Sequence, residues 1–437
     1  MASEQTARYI EAFEERQRSA GRNAPAWLNE MRRAALESFA ELGFPTVKQE
    51  AWKYTNVQPI VARPFRLAGR DHGQPSEIDV LGKLFVRDDG ARVVFINGNY
   101  AAEFSTLKGV PSGVTVSNLS ALTGSDGAEW LAQLGRHADY RKRSFVALNT
   151  AFLSDGAVVH VPSNCRLTQP IQLVYASSAP DQVLMSHPRT LVVLGAGSEA
   201  SIVESYVGMN GGSYFCNPVT ELIGGDGAVA HHYRIQREGT AGYHIGTLAA
   251  ALGRDCNFTA HAVTLSGALV RNDVHVALAG EGAECTLNGL YLGAGNQHVD
   301  NFTEIEHVRP RAASAELYKG ILDGAARAVF NGKIVVHKDA QKTDARQTNK
   351  NLLLSPDAVV NTNPQLEIYA DDVKCTHGSS IGQLDPAALF YLRARGLGPE
   401  EARSLLRFAF ASEMVNRIRI ESLRSGLDAY LAAKLHS

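Results

Sequence analysis

Four turn signals recur along the middle of the chain: Gly195-Ala196-Gly197, Gly225-Asp226-Gly227, Gly253-Arg254-Asp255 and Gly280-Glu281-Gly282. Their first glycines lie about 27 to 30 residues apart, which is within the range of periods that indicates a repeat architecture. A repeat of this length that contains several short strands is typical of one coil of a β-solenoid, in which each coil buries its inward residues against the next. The spacing therefore predicts a stack of coils with one long core.

The segments between these turns are short runs of β-branched and aromatic residues that alternate with polar ones. Examples are residues 157–161, 171–175, 191–194, 201–207 and 274–278. A β-sandwich also contains many short strands, but its strands come as hairpins about every 8 to 12 residues and rarely extend over so long a region. The pattern favours the solenoid, and we assign residues 155–384 to it.

Helical patterns are expected on both sides of this region. Over residues 23–43 apolar positions recur at three- and four-residue steps, with Pro25 near the start and Gly43 after the last position. We predict a helical N-terminal region over residues 1–60. Residues 61–154 form a mixed connecting region, in which residues 92–98 read as one strand and turn.

The strand pattern stops at Asp385-Pro386, a helix N-cap followed by proline at the first helical position. A second helix is predicted to begin at Gly398-Pro399, with acidic residues in its first turn. Residues 385–437 are therefore expected to form a helical unit. We expect it to cap the end of the solenoid and still leave surface for a partner.

The composition excludes some classes of partner. The 437 residues carry a formal net charge of -2, without the basic excess that nucleic acid or an anionic membrane surface requires. No stretch approaches the roughly 18 consecutive apolar residues of a membrane span, and the first residues lack a signal-peptide pattern. We expect a cytoplasmic protein.

Most catalytic signatures are missing from the sequence. It has no phosphate-binding G-x-x-x-x-G-K-[ST] loop and no H-E-x-x-H motif. The five cysteines are scattered and form no C-x-x-C pair, so neither a disulfide framework nor a closed zinc site is indicated. We expect that the chain alone does not hydrolyse ATP.

One segment concentrates groups that bind metals, namely residues 371–378 with Cys375 and His377. If both residues lie on one strand, their two-residue spacing points their side chains to the same face. Thiolate and imidazole are good iron ligands, and Lys374 is expected to favour the thiolate. The alternative is a buried core thiol beside a capping histidine. Two ligands are also incomplete, so any metal must recruit others from elsewhere.

Several motifs resemble the SufB/SufD scaffold proteins of the Suf iron-sulfur assembly system. They span nearly the whole chain: Ala51-Trp52-Lys53-Tyr54-Thr55, Leu148-Asn149-Thr150-Ala151-Phe152, Asn331-Gly332-Lys333, Asp344-Ala345-Arg346-Gln347-Thr348-Asn349, and Pro364-Gln365-Leu366-Glu367-Ile368-Tyr369 leading into Cys375-Thr376-His377-Gly378. Within that family, the Cys-x-His-Gly ending resembles the SufD branch, whereas the SufB branch typically has a His-Glu-Ala-Thr-Thr-type sequence.

The resemblance implies a right-handed parallel β-helix that pairs edge to edge with a SufB-like subunit and carries a SufC-like ATPase on its C-terminal helices. It implies that His377 helps to build a nascent cluster with ligands of the partner, and Cys375 is the second candidate. We expect no tightly bound cofactor on the lone chain, with an iron-sulfur cluster or iron held transiently in the complex and reduced flavin associated with the complex as a whole. The isolated chain is expected to form a homodimer.

The sequence allows three functions. The first is a scaffold that assembles clusters only within a complex. The second is a polysaccharide-processing enzyme, which rests on analogy with other β-helices and needs paired acidic residues along an exposed face. The third is a structural subunit in which Cys375 and His377 only pack the strand-to-helix junction.

Overall fold

The computed structural model describes residues 4–20, 24–69, 75–86, 90–122, 129–180, 182–209 and 211–435. Residues 1–3 and 21–23, which belong to the predicted N-terminal helical region, lie outside the described residues. Residues 436 and 437, at the end of the predicted C-terminal region, also lie outside.

The chain is mainly β, with helices before and after the strands. The α-helices in the described ranges are α1 (Glu4–Ala20), α2 (Ala26–Leu42), α3 (Gln58–Val61), α4 (Glu77–Leu81), α5 (Leu119–Leu122), α6 (Ser144–Ala151), α7 (Pro386–Ala394), α8 (Pro399–Val415) and α9 (Glu421–Leu435). The strands before the regular stack are β1 (Arg66–Leu67), β2 (Arg92–Ile96), β3 (Asn99–Tyr100) and β4 (Thr115–Asn118).

Eighteen further strands follow in the described part of the chain. They are β5 (Gly156–Val161), β6 (Ile171–Ser177), β7 (Leu184–Ser186), β8 (Arg189–Leu194), β9 (Glu199–Gly208), β10 (Tyr214–Cys216), β11 (Val219–Gly224), β12 (Val229–Arg237), β13 (Gly242–Leu252), β14 (Asn257–Ser266), β15 (Leu269–Leu278), β16 (Glu284–Gly293), β17 (His298–His307), β18 (Ala313–Leu322), β19 (Arg327–Val336), β20 (Asp344–Leu353), β21 (Val359–Ile368) and β22 (Lys374–Gly382).

From β5 to β22 the strands pair in parallel in two sheets that wind as a solenoid, whereas β4 pairs with β5, and β3 with β2, in the antiparallel sense. In sheet A the stack runs β5, β8, β11, β13, β15, β17, β19, β21, and in sheet B it runs β6, β9, β12, β14, β16, β18, β20, β22. Along this stack the chain alternates between the two sheets, so each coil contributes to both. The predicted β-solenoid between helical ends is confirmed.

The predicted glycine turns lie at the corners between the sheets. Gly197 and Gly227 both adopt a φ of 66°, a left-handed conformation that glycine accepts without steric cost. The Gly197 amide donates to the Asp226 carbonyl at 2.8 Å, and the Gly227 amide donates to the Arg254 carbonyl at 2.7 Å. Each corner is thus hydrogen-bonded to the corner of the next coil.

Coil length varies slightly around this repeat. Tyr243 pairs with Leu269 and Arg327 pairs with Val359, so the second of these coils is several residues longer than the first. The parallel register is otherwise continuous through β13, β15, β17, β19 and β21. Because strand residues alternate between faces, every second residue of each strand belongs to a column that runs through the core.

The terminal helices pack on the outside of the two sheets. The N-terminal helices cover sheet A, where Phe39 of α2 shares an apolar cluster with Phe145 of α6 and with Ile245. The C-terminal helices cover sheet B, where Leu427 of α9 is fully buried in a cluster with Leu290. Helix α7 begins as predicted, because the Asp385 side chain accepts a hydrogen bond from the Ala387 amide at 2.9 Å.

The expectation that the C-terminal helices cap the end of the solenoid is wrong. Helix α8 packs on the side of the solenoid, against β16 and β18. The reason is that sheet B also carries apolar residues on its outer face, including Tyr233, Leu290 and Ile321. The apolar side chains of the C-terminal helices pack against these residues and are buried there. The last coil, β21 and β22, is therefore left open at its end.

Within the described ranges, none of the helices has the length and apolar character needed to cross a lipid bilayer.

Candidate functional site

Cys375 and His377 both lie on β22, the last strand of sheet B. Cys375 pairs in register with Ala345, and His377 pairs with Gln347. Ala345 and Gln347 are buried residues of the preceding coil, with 0% and 1% of their surface exposed. The two candidate ligands therefore occupy inward-facing columns of the core and share one face of the strand.

The Cys375 thiol is half-buried at the open end. It packs against the apolar cluster of Ile334, Val336 and Ala370. Burial raises the pKa of the Cys375 thiol above its usual value, and the nearby Asp344 carboxylate raises it further. The expectation that Lys374 favours the thiolate is therefore wrong, because burial and Asp344 together favour the neutral thiol.

His377 is exposed although its position in the register faces inward, because no further coil follows β22 in the described chain. Along the same column, the register places Gln347 beside His377 and Glu316 beside Gln347. The Gln347 side-chain amide donates to a Glu316 carboxyl oxygen at 2.8 Å. Glu316, Gln347 and His377 thus form a polar column that leads from the core to the exposed imidazole. Burial raises the pKa of Glu316 in this column to about 7.

The open end presents free strand edges and apolar side chains. In the described chain, β21 pairs with β19 only and β22 pairs with β20 only, so each has one unpaired edge. Large apolar residues are exposed along these strands and the turn between them, at Val359, Ile368, Tyr369 and Ile381. An unpaired edge with apolar neighbours is a surface on which another chain can pair.

The pair of Cys375 and His377 supplies one sulfur and one nitrogen ligand, two fewer than a tetrahedral site needs. The neighbouring carboxylates of Asp371 and Asp372 lie in the turn that precedes β22, and Asp372 pairs with Lys342 at 3.6 Å. A metal or cluster at this open end would therefore need further ligands from a second chain that covers it.

Three other cysteines, Cys216, Cys256 and Cys285, are buried, and Cys165 is half-buried. Cys256 and Cys285 lie in the apolar core of the solenoid. Cys216 is different, because its sulfur and one ligand atom each of Glu238 and His244 all lie within 4.8 Å of one another.

This cluster was not predicted from the sequence, in which Cys216 is one of five scattered cysteines. The turn spacing alone does not reveal it, because the coils differ in length and the pairing of two residues depends on the strand register. Cys216 and His244 are separated by one coil and pair directly in the register of β10 and β13. The buried Arg234 and Glu204, which form an ion pair at 3.2 Å, are separated by one coil in the same way.

Comparison with known proteins gives matches along nearly the whole chain. Residues 175–410 match the family model described as "SUF system FeS cluster assembly, SufBD core domain", and residues 3–173 match the "SufBD protein N-terminal region". The first match covers the solenoid from the end of β6 to β22, together with α7 and most of α8.

Three relatives align with this chain across both regions that the family models match. An iron-sulfur cluster assembly SufBD family protein of Synechocystis is 34% identical over 91% of this chain and 88% of its own length. The iron-sulfur cluster assembly protein SufD of Escherichia coli is 31% identical over 92% of this chain and 91% of its own. SufD of Bacillus subtilis is 26% identical over 98% and 97%. The chain therefore belongs to the SufBD family of iron-sulfur cluster assembly proteins, and the SufD proteins are among its relatives.

Proposed function

We propose that this protein is a non-catalytic scaffold subunit that supports cluster assembly only together with a SufB-like subunit and a SufC-like ATPase. The observation that carries the proposal is the position of His377 and Cys375, which share one face of the last strand at an open, partly apolar end of the solenoid. The polysaccharide-processing alternative rests on fold analogy alone, and the family match gives it no support.

The SufB-like partner is proposed to pair with the free edges of β21 and β22. Each of these strands has backbone donors and acceptors on one side that no other strand of the described chain satisfies. Burial of Tyr369 and Ile381, which are 64% and 49% exposed, would add apolar contact area to the pairing. In the isolated chain, the same edge is proposed to pair with a second copy.

The SufC-like ATPase is proposed to bind the C-terminal helices. Helices α8 and α9 are fixed to the solenoid, and Lys319 donates from its ammonium group to the Phe410 carbonyl at 2.7 Å and pairs with Glu413 at 2.8 Å. Helix α7 carries Phe390 and Tyr391, which are 75% and 55% exposed. Exposed aromatic residues on a firmly held helical unit are typical anchors of a protein interface.

The cluster itself is cargo in this proposal. His377 supplies an exposed imidazole, and Cys375 supplies a thiol that loses its proton when it binds iron. The partner supplies the remaining ligands when it covers the end of the solenoid. We assign reduced flavin to the assembled complex and no residue of this chain to it.

The test replaces His377 by alanine in the reconstituted three-protein complex. We expect the amount of cluster formed anaerobically to fall by about tenfold or more, because a lost ligand costs at least as much as a lost supporting residue. Thr376→Ala is the matched control, since Thr376 lies on the same strand in a column that faces outward. Cluster is measured by iron and sulfide analysis and by visible absorption.

Complex formation is checked by size-exclusion chromatography for both variants. Full cluster assembly by the His377→Ala protein in an intact complex would contradict the proposed ligand role and favour the purely structural alternative. Equal losses in both variants would also contradict it, because disturbance of β22, and not loss of the imidazole, would then lower the yield.

A further inference from the structure

A second set of metal-binding side chains lies inside the solenoid, far from the open end. Cys216 ends strand β10, Glu238 follows strand β12 directly, and His244 lies near the start of β13. Cys216 is 2% exposed, Glu238 4% and His244 0%. In the described part of the chain, this is the one place where three or more such groups come within 4.8 Å of one another.

The strand register explains why the three groups meet. Cys216 and His244 are direct partners in the parallel pair of β10 and β13, so their side chains stack one above the other. Glu238 enters from the turn that joins β12 to β13. Its carboxylate forms a hydrogen bond of 2.7 Å with His244 Nδ1 and accepts one of 2.5 Å from the Tyr214 hydroxyl.

The cluster is held in place by a second layer of contacts. The Tyr214 hydroxyl accepts a hydrogen bond from the Gly239 amide at 2.7 Å, which fixes the tyrosine against the same turn. The His244 ring packs edge-to-face against Tyr206 with 4.8 Å between the ring centroids. Side chains that bind metals are commonly oriented by such outer partners.

Among the described residues, no arginine or lysine pairs with the Glu238 carboxylate. The nearby Arg234 guanidinium pairs with Glu204 at 3.2 Å, so its charge is already compensated. In the described part of the chain, the side-chain partners of Glu238 are a tyrosine hydroxyl and the His244 imidazole. A buried carboxylate is costly unless it is paired or coordinates a metal. The Nε2 atom of His244 is also buried, and no described residue forms a hydrogen bond with it.

We propose that Cys216, Glu238 and His244 bind a divalent transition-metal ion, Zn²⁺ being the ion whose ligand preferences the set matches. Thiolate, imidazole and carboxylate are the three ligand types of protein zinc sites. Binding replaces the thiol proton of Cys216, which leaves to solvent, so that thiolate and carboxylate together balance the two positive charges. The three side chains leave the fourth position of a tetrahedral zinc site to a water molecule, and the ion would join β10, β12 and β13 inside the core at a site distinct from the cluster-assembly site.

The test measures metal in the full-length chain purified after expression with added zinc, after a wash with chelator under native conditions. We expect about one zinc per chain in the wild-type protein and at least about a tenfold loss in Cys216→Ser. Cys285→Ser is the matched control, because Cys285 is an equally buried thiol of the same core that lies outside the cluster. It should retain the metal.

Two further measurements keep the test decisive. Protein expressed with Co²⁺ should show a thiolate-to-cobalt absorption band in the wild type, which does not depend on the folding of any variant. Cys375→Ser should retain the internal zinc, since it removes only the ligand at the open end. A wild-type protein without bound metal, a missing cobalt band, or equal metal content in Cys216→Ser and Cys285→Ser would overturn the proposal. Zinc lost from Cys375→Ser would overturn it as well, because the ion would then lie at the open end.

Discussion

At the scale of single residues, the interior of this solenoid contains ionisable groups whose protonation depends on their neighbours in the stack. Glu316 is 3% exposed, accepts a hydrogen bond from Gln347 and contacts no cation in the described part of the chain. Burial therefore raises the pKa of its carboxyl group from 4.5 to about 7. In contrast, Glu304 lies beside His275 and Arg143, and these contacts lower the pKa of its carboxyl group to about 2.

The raised pKa of Glu316 has a predicted effect on stability. Because the folded state favours the protonated form, its contribution is most favourable below the ordinary pKa and is lost as pH rises through about 7. A rise in pKa of this size corresponds to about 3 kcal/mol of lost stability at high pH. We expect Glu316→Gln to raise the melting temperature relative to the wild type at about pH 8, and the difference to shrink as the pH falls below about 6. Melting curves of both proteins across this range provide the measurement, and a pH-independent difference would contradict the assignment.

At the scale of structural elements, the last coil is the part of the solenoid with the greatest exposure of inward-facing positions. Ile381 belongs to the same set of alternating positions as Cys375 and His377, and its partner in the preceding coil, Asn351, is buried. In the isolated chain, however, Ile381 is 49% exposed. The end coil thus presents a cross-section of the core that association would cover.

We expect Ile381→Glu to weaken pairing with the SufB-like subunit, and self-pairing of the isolated chain, by at least about 30-fold, since an unpaired charge buried in an interface costs about 2 kcal/mol or more. Ile78→Glu is the matched control, because Ile78 is 84% exposed on α4. Sedimentation equilibrium measures the association. Unchanged association of the Ile381→Glu protein would exclude this end of the solenoid as the pairing surface.

The exposed aromatic residues of α7 make a separate prediction for the ATPase. We expect Phe390→Ala to weaken binding of the SufC-like subunit by about tenfold or more while the melting temperature of the isolated chain hardly changes, because Phe390 is 75% exposed. Calorimetric titration measures the affinity. Leu107→Ala, at a 49% exposed residue before the solenoid, serves as the control. Equal affinities of the two variants would place the ATPase elsewhere on the chain.

At the scale of the whole molecule, the fold was largely predictable because turn residues recur once per coil at nearly constant spacing. The corners need residues that accept left-handed backbone conformations, and glycines at Gly197, Gly227 and Gly282 mark them in the sequence. Cys375 and His377 could be placed on one face from their spacing alone. The open end could not be predicted from the sequence. The end is open because the C-terminal helices pack against apolar residues on the outer face of sheet B, such as Leu290, and not across the last coil.

The internal contacts were hidden from the sequence for a different reason. The coils differ in length, so the partner of a given residue is known only when every corner has been assigned. A register error of a single position moves a side chain from the core to the surface. The meeting of Cys216 with His244, and of Glu316 with Gln347, therefore required the register.

Anaerobic cluster reconstitution on this protein alone, and on its mixture with the SufB-like and SufC-like subunits, tests whether the scaffold depends on its partners. Iron and sulfide content and visible absorption report the product. Because the open end supplies too few ligands by itself, we expect an iron-sulfur cluster in the mixture and none on the lone chain. A stable cluster on the lone chain would contradict a partner-dependent scaffold and show that this chain contains a complete set of ligands.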